Sequence, residues 1–115
     1  MNNLTLGHSG ENLAKKYLMN KGYDCLHENY RTRYGEIDLI MRDGGYTVFV
    51  EVKTRTSKAF GRPAEAVDAR KRRHIINCAL MYFQKYGECL ARFDIIEILG
   101  NNITHIENAF EVVEN

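Results

Sequence analysis

The chain has 115 residues, 44% hydrophobic and 27% charged, the composition of one globular domain and not of a disordered polymer. At this length a domain buries about two-thirds of the surface its unfolded form exposes, so neither a disulfide nor a metal staple is needed for folding. Sixteen Lys and Arg against fifteen Asp and Glu leave a net charge of +1, which excludes a polyanion binder working by overall charge and makes the placement of charges decisive.

The first residues lack a basic region followed by an apolar run, and no later apolar segment approaches the ~18 residues of a membrane span. A soluble cytoplasmic protein with no membrane partner is expected. Cys25, Cys78 and Cys89 are an odd count without Cys-x-x-Cys spacing, which signals neither a disulfide framework nor a zinc site. His8, His27, His74 and His105 share no common spacing and are read as structural.

From Thr5 or Ser9 to Lys21, the spacing of Leu13, Ala14, Tyr17 and Leu18 predicts an amphipathic helix, with Gly22 placed for a left-handed C-terminal cap. Glu11 lies about 90° from the middle of that apolar face. It can point along the flank toward the chain that follows, or into solvent beside Lys15 at i+4. Tyr23 to Tyr30 reads as a strand. Tyr30-Arg31-Thr32-Arg33-Tyr34 then alternates aromatic and basic side chains, a composition suited to phosphates and exposed bases, or to a plain solvated connection.

Gly35 to Arg55 organises the rest. Two alternating runs, Glu36 to Met41 and Tyr46 to Lys53, flank Asp43-Gly44-Gly45, a strong hairpin signal. If Gly44 and Gly45 form a two-residue loop, Asp43 pairs with Tyr46, Asp38 falls opposite Glu51, and Glu36 falls opposite Lys53. An odd loop slips the register by one and sends these partners to opposite faces. In this register Ile37, Leu39, Met41, Val48, Val50 and Val52 form a buried face, and the other face carries the acids. Opposed like charges about 4.5–5.5 Å apart are destabilising, so Asp38 facing Glu51 requires a shared proton or a shared cation. Lys53 lies two residues beyond Glu51 on the same face. A water-facing surface in which Lys53 neutralises Glu36 is the plainer alternative.

Thr54 to Pro63 is polar, basic and aperiodic, a loop. Pro63 or Asp68 can open a second long helix carrying Ile75, Ile76, Ala79, Leu80 and Phe83 up to Gly87. Arg70, Lys71, Arg72 and Arg73 lie near its start, where positive charge opposes the helix macrodipole by about 0.3–1 kcal/mol each. A phosphate backbone would supply the missing negative charge; the alternative is that these side chains meet Glu65, Asp68 or solvent. Leu90 to Leu99 is a strand buried on both faces, with Arg92 and Asp94 paired on one side. Gly100-Asn101-Asn102 is a turn and Ile103 to Ile106 a last short strand.

A strand-borne Asp followed about a dozen residues later by Glu-x-Lys on the neighbouring strand suits a metal-dependent phosphodiesterase. Hard oxygen donors fit Mg²⁺ or Mn²⁺, which takes one or two protein carboxylates and keeps several waters. Asp38 and Glu51 supply those carboxylates, and the backbone carbonyl of Val52 can reach the same ion. Lys53 can orient a water or offset charge on the phosphate. Glu11, if it points inward, would hold a metal-bound water or a second ion. Glu-x-Lys alone is common on exposed strands; the combination is more specific.

Gly10-Glu11-x-x-Ala14, Asn29-Tyr30-Arg31, Gly35-Glu36-Ile37-Asp38-Leu39-Ile40, Phe49-Val50-Glu51-Val52-Lys53-Thr54-Arg55, Arg92-Phe93-Asp94 and His105-Ile106-x-Asn108-Ala109-Phe110 resemble the YraN-like bacterial family over nearly the whole chain. That family resembles archaeal Holliday-junction resolvases and the restriction-endonuclease-like nuclease superfamily. The resemblance implies a mixed α/β sheet flanked by helices in the order α-β-β-β-α-β, the order that periodicity also gives, in a single domain spanning residues 1–115. It assigns Glu11, Asp38, Glu51 and Lys53 as helix acid, first metal acid, second metal acid and catalytic lysine.

The expected function is a Mg²⁺- or Mn²⁺-dependent endonuclease on structured or branched DNA, with a homodimer placing two sites on two strands. Arg31, Arg33, Arg55, Lys58, Arg62, Arg70, Lys71, Arg72 and Arg73 would grip phosphates. The alternatives are a nucleic-acid-binding adaptor of the same fold that cuts nothing, and a protein-binding domain. Sharing a fold does not fix a function.

Overall fold

A computed structural model describes residues 6–55 and 68–111, with side chains from residue 9 onward. The elements run α1 (Leu6–Asn20), β1 (Asp24–Thr32), β2 (Gly35–Asp43), β3 (Tyr46–Arg55), α2 (Ala69–Tyr86), β4 (Leu90–Leu99) and β5 (Asn102–Phe110). The order is α-β-β-β-α-β-β, one strand longer than the expected α-β-β-β-α-β. The last segment, expected as a short strand over Ile103 to Ile106, extends to Phe110 because it pairs antiparallel with β4 from Leu99 to Phe93.

All five strands form one mixed sheet in the order β1-β2-β3-β4-β5, antiparallel except for β3 and β4. The parallel step follows from α2, whose crossover returns the chain to the edge of β3. Both helices end where the sequence placed their caps. Gly22 at φ 97° closes α1, with Tyr23 N–H donating to Leu18 O and Gly22 N–H to Met19 O, a Schellman arrangement. Asp68 caps α2 by accepting from Lys71 N–H at 2.9 Å, and Gly87 stops it. Pro63, the other candidate start, lies outside the described residues.

The β2–β3 hairpin has the expected register. Asp43 pairs with Tyr46, and the ladder continues through Leu39 and Val50. The faces differ from expectation. Leu39, Met41, Val48 and Val50 pack with Ala14 and Leu18 under α1, whereas Ile37, Ile40 and Phe49 pack with Ile75, Cys78, Ala79 and Tyr82 under α2. Both sheet faces are therefore core. Ile37 shares a face with Ile40, three residues on, so strict alternation fails between them. Asp38 occupies that break.

Two positions on the helices also depart from the predicted faces. Leu13 and Leu80 are about half exposed, and Cys78 and Tyr82 take the buried places on α2. No described helix is long and apolar enough to cross a membrane.

In the middle of β4, where Asp94 is in register with Val50, the expected Arg92–Asp94 pair is the centre of a buried network. Asp94, fully buried, accepts from Arg92 Nε and Nη2 at 2.9 Å each, from His105 Nε2 at 2.7 Å and from Asn108 N–H at 3.0 Å. Burial alone would raise its pKa, but these donors outweigh burial and hold it below the usual carboxylate range. Lys21 Nζ can only donate, so its 2.8 Å contact to His105 Nδ1 fixes the tautomer with the proton on Nε2, facing Asp94. His105, expected to be structural, is part of this network.

Candidate metal centre

Three elements bring acids together beside the break in β2. The β2–β3 ladder stops at Leu39 and Val50, so Asp38 and Glu51, next in register, make no backbone pair. Asp38 instead accepts the Val52 N–H on Oδ2 at 2.8 Å. On the other side, Asn29 of β1 adopts φ 51° opposite Asp38, a conformation Asn tolerates better than most residues. The β2–β3 ladder has ended beside Asp38, while β1 stays paired with β2 on either side of it.

Glu11 enters from α1, and not into solvent beside Lys15, which pairs with Glu28 at 3.2 Å. Its approach depends on Gly10, where a Cβ would collide with Thr54 Oγ1. Helix and strand touch at that glycine, and the next residue reaches the cluster. Glu11, Glu36 and Asp38 each offer an oxygen within 4.8 Å of the others. Asn29, with its amide nitrogen turned toward the acids, donates to Glu11 Oε2 at 2.9 Å and Glu36 Oε1 at 2.8 Å.

Glu51 lies on the other flank of Asp38 and is 5% exposed. Lys71 Nζ of α2 is 3.2 Å from its Oε2, and Lys53 Nζ is 3.9 Å away. Burial and then Asp38 push Glu51 up to about 8, against the opposing pull of Lys71 and Lys53. Burial, Asp38 and Glu36 push Glu11 up to about 7, with Asn29 opposing. Each of these glutamic acids, while protonated, donates a hydrogen bond to Asp38. Crowded carboxyls that retain protons near neutrality are what hard oxygen ligands look like before a cation replaces those protons. The donor set fits Mg²⁺ or Mn²⁺.

Glu36 is in the acid cluster and pairs with Arg31 Nε at 3.0 Å, where Lys53 was the expected partner. Val52 donates its N–H to Asp38. Several expected site residues fall elsewhere. Arg55 forms an ion pair with Glu97 at 2.9 Å, both side chains 11% exposed, so it is not displayed for phosphate. Lys71 belongs to the acid cluster, while Arg70, Arg72 and Arg73 remain exposed at the start of α2. Arg33 lies over the Tyr34 ring at 5.0 Å in the β1–β2 turn. Tyr30 packs on Tyr82, closed to a nucleobase. Lys58 and Arg62 lie outside the described residues.

Sequence reasoning did not place Asn29 in the site. Its only signal was its position in the Asn29-Tyr30-Arg31 motif, and nothing local foretells that a β1 amide will bridge acids from α1 and β2.

A family model, the Uncharacterised protein family UPF0102, matches residues 10–98, a span that includes Glu11, Asp38, Glu51, Lys53 and Lys71. A UPF0102 protein of Persephonella marina is 47% identical over 109 residues, covering 92% of this chain and 93% of the relative. That of Caldicellulosiruptor saccharolyticus is 43% identical over 118 residues, covering 96% and 100%. One from Thermodesulfovibrio yellowstonii is 45% identical over 111 residues, covering 96% and 99%.

Proposed function

This chain belongs to the Uncharacterised protein family UPF0102, and we propose that it is a Mg²⁺- or Mn²⁺-dependent endonuclease of restriction-endonuclease-like fold acting on structured or branched DNA in the cytoplasm. The observation that supports the reading is that Glu11 from α1 and Glu36 and Asp38 from β2 offer oxygens within 4.8 Å of one another, with buried Glu51 of β3 next to Asp38 and Lys53 beside it. Three separate elements and a broken ladder are an extravagant way to build a surface salt bridge. They are an economical way to build an ion site at a sheet's end.

Asp38, anchored by the Val52 N–H, is the fixed ligand. Glu11 and Glu51 would give up their protons to join it, and Asn29 would keep Glu11 and Glu36 oriented. A divalent ion held there supplies positive charge at a phosphate oxygen and lowers the pKa of a water. Lys53, about a third exposed, can turn from Glu51 to offset charge developing on the phosphate. Arg31 at one rim and Arg70, Arg72 and Arg73 at the other would bind the backbone on either side.

One observation favours a second reading, a non-catalytic nucleic-acid adaptor. Lys53 and Lys71, 3.9 and 3.2 Å from Glu51, can offset its charge themselves. Incubation with fluorescent branched, flapped and linear DNA in Mg²⁺ or Mn²⁺ separates the two. Cleavage lost in Glu51→Gln and Lys53→Ala supports the nuclease, and unchanged cleavage in both variants removes it. Salt-sensitive binding without cleavage favours the adaptor. No salt-sensitive affinity for nucleic acid leaves a protein-binding domain.

A further inference from the structure

Four basic residues open α2, and the sequence gives no reason to separate them. The structure does. Asp68 caps the helix through the Lys71 N–H at 2.9 Å, which fixes the first turn and the direction in which residue 71 leaves it. Arg70, Arg72 and Arg73 are exposed, whereas Lys71 is partly buried and reaches Glu51 Oε2 at 3.2 Å. Lys53, the lysine of the Glu-x-Lys motif, is farther from the same oxygen, at 3.9 Å. Glu51 therefore has two ammonium neighbours from two elements, and the closer one is on the helix.

We infer that Lys71 is a second lysine of the reacting centre, held on Glu51 until a divalent ion takes that carboxylate and then released to the scissile phosphate. The inference rests on the nuclease reading and deepens it. Charge supports the exchange: an ion and an ammonium compete for one carboxylate, and the displaced ammonium is left beside the most anionic part of the substrate. Geometry supports it as well. A side chain that reaches Glu51 from a capped first turn needs only a rotamer change to reach a phosphate bound over that carboxylate, because its backbone is already fixed.

A backbone-gripping cation and a cation at the reacting phosphate have different kinetic signatures. The first changes how much enzyme is needed, the second how fast bound DNA is cut. Single-turnover cleavage is measured against enzyme concentration in Mn²⁺ for wild type, Lys71→Met, Lys71→Arg and Arg72→Ala. Lys71→Met is expected to lower the plateau rate by about 10²-fold, the scale of removing one donor to a developing negative charge, with the half-saturating concentration within about twofold. Lys71→Arg, which keeps the charge, should stay within about tenfold of the wild-type plateau. Arg72→Ala should raise the half-saturating concentration several-fold, reduce the salt slope by about one, and leave the plateau alone.

A crystal of the Mn²⁺-loaded protein gives a reading independent of turnover. Lys71 Nζ should have left Glu51 Oε2. The inference is overturned if Lys71→Met merely copies Arg72→Ala, or if the loaded crystal keeps the 3.2 Å contact. If wild type neither binds Mn²⁺ nor cuts DNA, the nuclease reading falls and takes this inference with it. If wild type does both and only the Lys71 outcomes fail, the nuclease reading stands alone.

Discussion

Asp38 accepts the backbone N–H of Val52 across the strand gap at 2.8 Å, the place where the β2–β3 ladder has stopped. The carboxylate thus does two jobs, closing the end of a sheet and anchoring an acid cluster. Asp38→Asn separates them. The amide oxygen can still accept from Val52, while the charge that crowds Glu11 and Glu51 is gone. The variant is expected to be more stable than wild type by about 1 kcal/mol at pH 8, as is common when a strained functional site is relaxed. It should also bind Mn²⁺ at least tenfold more weakly. Urea unfolding and a metal titration on the same preparation check both.

Stability without metal should depend on pH in an unusual direction. Glu51 is raised to about 8 and Glu11 to about 7 from an unfolded value of 4.5. Between those limits the folded state holds protons that the unfolded state has lost, so stability falls as pH rises from about 4.5 to 8 and levels off above. Asp94, with a lowered pKa, works oppositely: its contribution is present above 3.8 and lost only as pH falls further. Thermal melts from pH 5 to 9 in EDTA should show the decline, and Glu51→Gln should flatten its upper part.

Gly10 is a steric requirement of the site and not a helix imperfection. Gly10→Ala must push Thr54 or α1 aside. Overpacking of this kind costs about 1–3 kcal/mol, and any shift of α1 carries Glu11 away from Asp38. The expected result is a lower melting temperature together with weaker Mn²⁺ binding. Leu13→Ala, at a half-exposed position on the same helix, should change neither by a comparable amount.

Asp94 tests the buried network of β4. Asp94→Ala leaves Arg92 and His105 facing each other without their carboxylate, and breaking a buried charge network this way costs about 3–5 kcal/mol. Urea unfolding should register that loss. Cleavage per folded molecule should be largely retained, because Asp94, although in register with Val50 beside Glu51, directs its hydrogen bonds to Arg92, His105 and Asn108.

Much of this was legible from local chemistry. The Asp43-Gly44-Gly45 turn specified the register that brings Asp38 level with Glu51, and Gly44 at φ 59° is the conformation such a turn demands. Gly22, Asp68 and Gly87 marked the helix ends for equally local reasons. The double-sided burial of β2 and β3 was harder to read. Alternation among apolar residues looks the same whether the second face meets a helix or water, until Phe49 and Ile40 are found under α2. The strand β5 was underestimated because its polar residues, Asn102, Thr104 and Glu107, conceal a pairing with β4. Asn29 and Lys71 entered the site through approaches between distant segments, which no spacing along the chain encodes.

The central claim is that the acid cluster binds a divalent cation. Titration calorimetry with Mn²⁺ at pH 7, repeated in two buffers of different ionisation heat and with branched oligonucleotide present, tests it most directly. The account predicts saturable binding that releases on the order of one proton per ion and that disappears in Asp38→Asn. Absence of any binding heat, with and without the oligonucleotide, would contradict it.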